Sequence, residues 1–549
     1  MIFRMDDNPT ARNWRQRNQR LVLIAATLAC LLPFAGKAVH LDDPLFIWAG
    51  QQMQTKWWDP YGFDVNWYGW SMPMFEVTKN PPLASAYLAP VIAIFGVNEV
   101  WLHLALLAPA IAAVLGTYAL AQRTCAFPFP AALALLAMPV FLISSTTLMC
   151  DVVMLAFWIW AVVFWIRGLD SQRASLLALA CLLGGLSVLT KYFGIALVPL
   201  LLAYSLARTR GRDWLWLPWL LIPIAFAGLF EYATRSLYGL GLLSEAFGYT
   251  EQNRAGSLGA FGVKTLTAVS FTGGCCAIVL FCAPSLWRFR KWIWGIVAVF
   301  ILTLLLWRFP LVPNPDRQSP LGFAAQWSLW VLAGATVLAL PIIDLKRRRT
   351  AESWLFLLWI LGTFSFCLFN WTINGRSILP MAPAVAILIL RRIEDRGGLR
   401  QTSFLWCAGA SLALSLLVTF ADYRLAGSAR TAVNEIGARL ETSSNSAVWF
   451  QGHWGFQYYA QAKGWRPFDL THFRPQSGDF IVLPLNNTNL HPIPRETVER
   501  LFTTEIPAVP WVITLSRASD AGFYTDQGGP LPFAFGVVRD QKYYILRFN

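Results

Sequence analysis

The sequence predicts a polytopic α-helical membrane protein with about 13 transmembrane helices, a long first extracytoplasmic loop and a small C-terminal extracytoplasmic α/β domain. Two observations predict this class. Hydrophobic residues make up 56% of the 549 residues and charged residues only 13%, which is too little polar material to cover a soluble globule. The apolar stretches also repeatedly reach the length of about 20 residues that a bilayer-spanning helix needs.

Hydrophobic run length predicts where the spanning helices lie. The predicted spans are 21–38, 99–122, 130–148, 151–167, 174–190, 193–207, 214–232, 265–286, 292–308, 326–344, 353–371, 378–391 and 403–421. An odd number of crossings that begins in the cytoplasm ends outside it. The sequence therefore predicts a cytoplasmic N-terminus and an extracytoplasmic C-terminus.

The distribution of positive charge supports this orientation. The net charge is +14, but the basic residues occur in short clusters between apolar runs. With a cytoplasmic N-terminus, every strong cluster lies on the cytoplasmic side, as the positive-inside bias requires. The charge therefore indicates topology in the plasma (inner) membrane, and no nucleic-acid partner is predicted. The arginine-rich N-terminus and the lack of a small-residue cleavage site predict an uncleaved first span.

One apolar stretch, 83–96, is predicted to lie at the membrane interface. As a helix of about 15 residues it would be roughly 20 Å long, whereas the hydrocarbon core is roughly 30 Å thick. If it crossed, every later basic cluster would move to the wrong side. We therefore assign it to a first external loop, 39–98, and predict a second external loop at 233–264.

A change in composition divides the chain near residue 421. Residues 1–421 form the predicted transmembrane domain, and residues 422–549 form the predicted soluble α/β domain, with an amphipathic helical stretch near 428–441. Its predicted strands are 447–450, 479–485 and 542–548. The aromatic stretch 452–469 is interpreted either as the core of this domain or as a contact for a sugar or acceptor.

Several ionisable residues fall on the outer side of the predicted topology. They are Asp42, Asp43, Glu76, Lys79, Asp151, Lys191 and Arg376. Charge at or in a membrane is costly, so such residues are candidates for a functional site. Carboxylates beside cations suit a reaction between a hydroxyl group and a lipid-linked phosphate. A carboxylate can accept the proton of the hydroxyl, and lysine or arginine can stabilise charge on a departing phosphate.

Each candidate also has a purely structural interpretation. Asp43 precedes Pro44, and an aspartate cap followed by proline is an ordinary helix start. Asp151 has the same alternative as a helix cap. The three basic residues can extend their side chains to lipid headgroups, and Glu76 can be a solvated loop residue. His103, inside an apolar helix, is interpreted as a buried imidazole.

Six short segments carry a further signal in their order along the chain. They are the acidic pair at 42–43, KNPPL (79–83), FGVNE (95–99), MCDVVMLAFW (149–158), LSVLTKYFGIALVPL (186–200) and RSILPMAPAVAIL (376–388). In this order they resemble the C-type glycosyltransferase superfamily. The resemblance is greatest to the branch that holds protein O-mannosyltransferases and the aminoarabinose transferase of lipid A.

This resemblance implies an integral membrane glycosyltransferase for hexosyl or pentosyl groups. Such an enzyme moves one sugar from a polyprenyl-phosphate donor to a hydroxyl acceptor, on a protein, lipid or cell-envelope glycan, at the extracytoplasmic side. The implied catalytic residues are Asp42, Asp43 and Asp151. The implied substrate-binding residues are Glu76, Lys79, Lys191 and Arg376, and 233–264 is implied to form a mobile cover. The family pair is Asp-Glu where this chain has Asp-Asp.

The predicted partners are the polyprenyl-phosphate sugar, membrane lipid and a hydroxyl acceptor. No cofactor is predicted, since the sequence has no Gly-rich phosphate loop, and no metal site, since no suitable ligand spacing occurs. Two other classes of function remain alternatives. One is a transporter or flippase of lipid-linked sugars, which would place charges near the bilayer midplane. The other is a non-catalytic assembly subunit.

Overall fold

The computed structural model describes residues 9–255, 261–398, 400–440, 446–472 and 474–549. Part of the N-terminal basic stretch, part of the predicted second external loop and the last residue of the predicted amphipathic stretch lie outside these ranges. The described chain is mainly helical, and most of its short strands follow residue 447.

Helices α1 to α11 are Pro9–Leu31, Asp43–Thr55, Met74–Val77, Leu83–Phe95, Glu99–Thr124, Pro128–Leu136, Pro139–Ser145, Asp151–Ser171, Ala174–Thr190, Leu197–Thr209 and Leu221–Tyr238. Helices α12 to α22 are Leu242–Ala255, Phe261–Cys275, Ile278–Phe281, Ala283–Leu286, Phe289–Arg308, Pro320–Arg348, Ala351–Phe369, Gly375–Ile378, Ala382–Glu394, Gln401–Leu440 and Trp454–Ala462. Strands β1 to β11 are Asp64–Asn66, Ser71–Pro73, Val448–Phe450, Arg466–Pro467, Phe480–Pro484, Val498–Ile506, Val512–Ile513, Leu515–Ser516, Ala521–Gly522, Ala534–Phe535 and Gln541–Phe548.

The length and composition of the helices bear on the number of membrane crossings. Within the described ranges, eight helices are long and apolar enough to cross a membrane, or nine if the bent pair α6–α7 is one span. The chain is therefore a multi-pass membrane protein, while the count of 13 spans stays a prediction. Helix α4, predicted to lie at the interface, packs against α2, where a Cβ atom on Gly50 would lie only 3.0 Å from Ile92.

A bend of 63° separates α6 from α7 within the predicted span 130–148. The bend occurs where Pro139 removes a backbone donor and starts a new helix. A carbonyl left unpaired in an apolar interior is costly. Here Ser411 and Ser415 of α21 both donate to the carbonyl oxygen of Ala137, at 2.6 and 2.9 Å, so the neighbouring helix compensates for the break.

Two other predicted spans are also interrupted. The span 265–286 consists of α13 followed by the short helices α14 and α15, and the span 378–391 begins with the short helix α19 and a 3₁₀ turn, Leu379–Met381. Helix α19 starts at an asparagine cap, since the Asn374 side chain accepts from the backbone N–H of Ser377 at 2.8 Å. This cap fixes the turn that carries Arg376.

The strands after residue 447 form a five-stranded mixed sheet with the order β4-β3-β5-β11-β6. Strand β3 is parallel to β4 and β5, and β11 is antiparallel to β5 and β6. The predicted strand runs at 447–450, 479–485 and 542–548 coincide with β3, β5 and β11 within one residue at each end. Side chains of β11 alternate in burial over most of its length, as expected for a strand with one covered face.

Helix α21 joins the apolar helices to this sheet. Its 40 residues give a rod of about 60 Å at 1.5 Å per residue, and residue 421 lies within it. Its C-terminal turns pack Val433 and Ile436 against Phe450 and Val482 of the sheet. The amphipathic stretch near 428–441 is thus the last part of one continuous helix.

The strand-containing part also packs closely on the preceding loops. Arg317 pairs with Asp520 at 2.6 Å, and both side chains are almost fully buried. The ring of His453 lies against that of Trp67 from the first predicted external loop, with a centroid distance of 4.7 Å. Burial lowers the pKa of His453 to about 3, so the imidazole is neutral. The geometry thus favours a packing role for this histidine.

One fully buried ion pair links the end of the first predicted span, 21–38, to α21. The Lys37 Nζ atom lies 2.5 Å from Asp422 Oδ2, and both side chains are 0% exposed. Asp422 also accepts hydrogen bonds from the hydroxyl groups of Thr514 and Tyr524, at 2.6 and 2.7 Å. These neutral donors satisfy the remaining lone pairs, which a buried ion pair needs if it is to repay desolvation.

We expect Lys37→Met to lower the free energy of unfolding by about 3–5 kcal/mol, because it leaves the Asp422 carboxylate buried and unpaired. The measurement is the midpoint of thermal unfolding of the detergent-solubilised protein. Adding Asp422→Leu should recover much of the loss. As a control, Lys542→Met removes an exposed ion pair with Glu505 and should change the midpoint little. Equal midpoints for Lys37→Met and the wild type would contradict the expectation.

Candidate active site

Four predicted site residues form one continuous chain of ion pairs. Arg376 lies between two carboxylates, with Nη2 3.4 Å from Asp42 Oδ2 and Nη1 3.6 Å from Asp151 Oδ2. The other oxygen of Asp151 lies 2.6 Å from Lys191 Nζ. Two acids and two bases are therefore joined with no net formal charge. The chain of contacts is Asp42–Arg376–Asp151–Lys191, and we call it the ion-pair cluster.

Helix ends bring these residues together. Asp42 precedes α2, Asp151 begins α8 and Lys191 directly follows α9. The chain turns sharply after Lys191, because a Cβ atom on Gly194 would lie 2.4 Å from the backbone of Ser187. Only glycine permits the backbone at 194 to lie this close to the backbone of Ser187. The turn holds Lys191 beside Asp151 at the start of α8.

Exposure distinguishes the members of the ion-pair cluster. The Asp151 side chain is 0% exposed and the Asp42 side chain 37%. The side chains of Lys191 and Arg376 are 17% and 13% exposed. Asp42 is therefore the carboxylate that an external hydroxyl group can reach. The buried Nε atom of Arg376 has no hydrogen-bond partner among the described residues, so it has capacity to bind a further acceptor.

The Asp43 carboxylate binds backbone N–H groups. Its oxygens accept from the N–H groups of His40 and Leu148, both at 2.9 Å. The side chain is fully buried, and this burial raises the pKa of Asp43 to about 7. Asp43 thus ties the start of α2 to the turn before Asp151. The structural interpretation of Asp43 as the N-terminal cap of α2 is wrong by one residue. Asp42 occupies the cap position, and its side chain makes no capping hydrogen bond.

Lys79 lies near the ion-pair cluster, but its side chain binds elsewhere. Its Nζ atom is 3.1 Å from Glu245 on α12 and 2.8 Å from the carbonyl oxygen of Glu76. The adjacent Asn80 accepts from the thiol of Cys150 at 3.5 Å, which places the KNPPL segment next to Asp151. The Glu76 side chain is exposed.

Three residues that sequence reasoning missed also border the site. Glu245 pairs with Lys79, Met149 Sδ contacts Arg376 Nη1, and the Tyr524 ring lies 5.9 Å from the Arg376 guanidinium. Sequence offers no signal for these three, because each contact depends on the tertiary fold. Asp422 did carry a signal, since it is an acid within the last apolar run, opposite in sign to Lys37.

The donor set of the site bears on metal binding. No group of three or more His, Cys, Asp or Glu side chains that could hold a metal ion occurs in the part of the chain that the structure describes. The prediction that the protein needs no metal stays a prediction. The ion-pair cluster itself offers one accessible carboxylate, Asp42, in contact with the cation of Arg376, which is suited to proton removal next to an anionic group.

Three solved structures of other proteins are similar to this chain. The crystal structure of ArnT from Cupriavidus metallidurans bound to undecaprenyl phosphate matches with 15% identity and a TM-score of 0.42, covering 85% of this chain and 93% of ArnT. The Archaeoglobus fulgidus oligosaccharyltransferase in the apo form matches with 13% identity and a TM-score of 0.46, covering 82% and 64% of the two chains. The arabinofuranosyltransferase AftD from Mycobacteria matches with 12% identity and a TM-score of 0.41, covering 99% and 40%.

Sequence comparison gives a more local result. No curated protein sequence matches the chain. Residues 79–236 match the family model described as dolichyl-phosphate-mannose-protein mannosyltransferase, and this range contains Lys79, Asp151 and Lys191. The match confirms the predicted resemblance to the C-type glycosyltransferases, and within it to the branch of the protein mannosyltransferases.

Proposed function

We propose that this protein transfers a single sugar from a polyprenyl-phosphate donor to a hydroxyl acceptor at the extracytoplasmic face of the membrane. The observation that carries the proposal is the ion-pair cluster, in which the partly exposed Asp42 carboxylate contacts Arg376 and Asp151 links Arg376 to Lys191. The matched family is named for a polyprenyl-phosphate sugar and a protein acceptor. The sugar and the acceptor of this chain are left open between protein, lipid and cell-envelope glycan.

Asp42 is the proposed general base. It accepts the proton of the acceptor hydroxyl while the hydroxyl oxygen bonds to the anomeric carbon of the donor. The bond from that carbon to the phosphate oxygen breaks on the opposite side, so the sugar is transferred with inversion. Asp43 is proposed to position this centre rather than to react, since both of its oxygens already bind backbone N–H groups.

The cations are proposed to bind the donor phosphate. A phosphodiester carries one negative charge, and the departing phosphate monoester gains a second as the sugar leaves. Arg376 and Lys191 therefore interact more strongly with the transition state than with the bound donor, which is the condition for catalysis. Asp151 lies between both cations and is proposed to orient them.

Lys79 is proposed to be a third phosphate ligand, with Glu245 occupying its place in the absence of donor. The Lys79–Glu245 pair is only partly buried, with side chains 22% and 44% exposed, so it is weak and readily exchanged for a phosphate. Helix α12, which carries Glu245, belongs to the proposed mobile cover at 233–264. Glu76 would contribute to the shape of the same pocket.

The proposed orientation follows from the basic clusters. With 13 spans and a cytoplasmic N-terminus, the loop 39–98 and the domain 422–549 are extracytoplasmic, and the protein lies in the plasma membrane. A transporter is the second candidate. Functional charges of transporters typically lie near the midplane of broken helices, whereas Asp42, Asp151 and Lys191 lie at helix ends. This placement favours the transferase. No step of the proposed reaction uses a metal or cofactor.

We expect Asp42→Asn to reduce transfer by about 10²- to 10⁴-fold, because the amide cannot accept the hydroxyl proton. Binding of polyprenyl phosphate should be nearly unchanged. The measurement is sugar transfer from a polyprenyl-phosphate sugar by the purified protein, with lipid binding measured in parallel. Asp64→Asn, an exposed aspartate in the same loop, is the control and should retain activity. Full transfer by Asp42→Asn would exclude Asp42 as the base.

We expect Lys191→Met to weaken donor binding by about 10- to 100-fold, the loss of a charge-assisted hydrogen bond of about 1.5–3 kcal/mol. The measurement is the KM for the donor lipid, with membrane insertion checked by fractionation. Lys56→Met, an exposed lysine of the same predicted face, should leave the KM unchanged. The reversal Lys191→Glu should abolish transfer. An unchanged KM for Lys191→Met would remove this residue from the phosphate site.

We expect Glu245→Gln to strengthen binding of polyprenyl phosphate by up to about fivefold, because it removes a competitor for Lys79 worth roughly 0.2–1 kcal/mol. The measurement is the Kd of the lipid in detergent. Glu251→Gln, an exposed position on the same helix, is the matched control. Weaker binding by Glu245→Gln than by the control variant would show that Glu245 does not compete with the phosphate.

A further inference from the structure

A short segment from the end of the chain pairs with the residues directly before Arg376. We call residues 523–526 the C-terminal clamp. The N–H of Gly375 donates to the carbonyl oxygen of Phe523 at 2.6 Å, and the N–H of Asp526 donates to the carbonyl oxygen of Ile373 at 2.9 Å. Residues some 150 positions apart in sequence thus form a bridge that ends at the arginine of the ion-pair cluster.

Asp526 adds side-chain contacts to this bridge. Its Oδ1 atom accepts from the Thr372 hydroxyl group at 2.6 Å and from the N–H of Ile373 at 3.2 Å. The bridge is also tightly packed, since a Cβ atom on Gly375 would lie only 2.4 Å from the ring of Phe523. These contacts therefore hold the backbone of the turn before Arg376 against the clamp.

Tyr524 connects the clamp to the buried ion pair. Its hydroxyl group donates to Asp422, the partner of Lys37, at 2.7 Å. Its ring lies 5.9 Å from the guanidinium carbon of Arg376, close enough for a weak cation–π attraction. The clamp is thus held by a fully buried network on one side and contacts Arg376 on the other.

The contacts of the guanidinium group with carboxylates are long. Its two carboxylate partners lie at 3.4 and 3.6 Å, beyond the 2.7–2.9 Å of a strong charge-assisted hydrogen bond, and its buried Nε atom has no hydrogen-bond partner in the described part of the chain. Ion pairs alone therefore do not fix this group, which also contacts Met149 Sδ. Its position depends on the backbone at 372–375, which the clamp holds.

We propose that Asp526 is a positioning residue, which holds the turn 372–375 so that Arg376 faces the donor phosphate. The inference rests on the proposed function, because it assumes that Arg376 binds this phosphate. It means that the strand-containing part of the chain completes the site, although Asp526 itself touches neither donor nor acceptor.

The test uses the full-length protein in detergent and undecaprenyl phosphate as the probe. Asp526→Leu removes both hydrogen bonds made to Oδ1 and should weaken binding about tenfold, as the loss of two ordinary hydrogen bonds implies. Asp526→Asn retains the accepting oxygen and should bind nearly as the wild type does. Asp469→Leu is the matched control, because Asp469 also accepts from a threonine hydroxyl and backbone N–H groups, but within its own turn. It should bind normally.

A further variant, Arg376→Leu, separates this inference from the proposed function. Weak binding by Arg376→Leu with normal binding by Asp526→Leu would overturn the inference and leave the function intact. Normal binding by Arg376→Leu would overturn both. Equal losses in Asp526→Asn and Asp526→Leu would also overturn the inference, because the accepting oxygen would then be irrelevant. If Asp526→Leu fails to fold, Thr372→Val tests the inference instead, because it removes the hydrogen bond from the Thr372 hydroxyl group to Asp526. Thr372→Val should bind the lipid about threefold more weakly than the wild type. Normal binding by this variant would overturn the inference.

Discussion

Arg376 is the group on which the candidate site depends. It interacts with two carboxylates, one partly exposed and one buried, and without it Asp151 would keep only Lys191 as a partner. A buried carboxylate without enough compensating charge is strongly destabilising or becomes protonated. The arrangement of acids and bases is therefore a single electrostatic unit. Its zero net charge lowers the cost of forming it in an apolar surrounding.

A second polar unit, Lys37 with Asp422, lies close to the first and shares Tyr524 with it. Both units join the ends of helices to the strand-containing part that follows α21. The structure therefore describes one interdependent site rather than a membrane portion with an appended module. In physical terms, each buried charge needs donors that its own helix cannot supply, because helix backbones satisfy their own hydrogen-bonding groups.

Much of the architecture was predictable. Hydropathy predicted the apolar helices. The β-like runs in a region rich in Pro, Asn, Asp and Gly predicted strands that coincide with β3, β5 and β11 within one residue at each end. The bends inside 130–148 and 265–286 were not predicted, because hydropathy measures the apolarity of a run and not the path of its backbone. The serines that compensate for the first bend lie more than 270 positions away. A short sequence window therefore cannot contain both the bend and the serines that bind its carbonyl oxygen.

By itself, the sequence determined the candidate residues. It identified Asp42, Asp151, Lys191 and Arg376, because a charged residue beside an apolar run is costly and is therefore a candidate for function. Only the tertiary structure decided which groups contact one another. It paired Arg376 with Asp42 across 334 positions, turned Asp43 toward the backbone and assigned Lys79 to Glu245 across 166 positions. It also brought Asp526 to the turn before Arg376. The physical reason is that the energy of a charge depends on its distance to other charges and on burial, and both are properties of the folded chain.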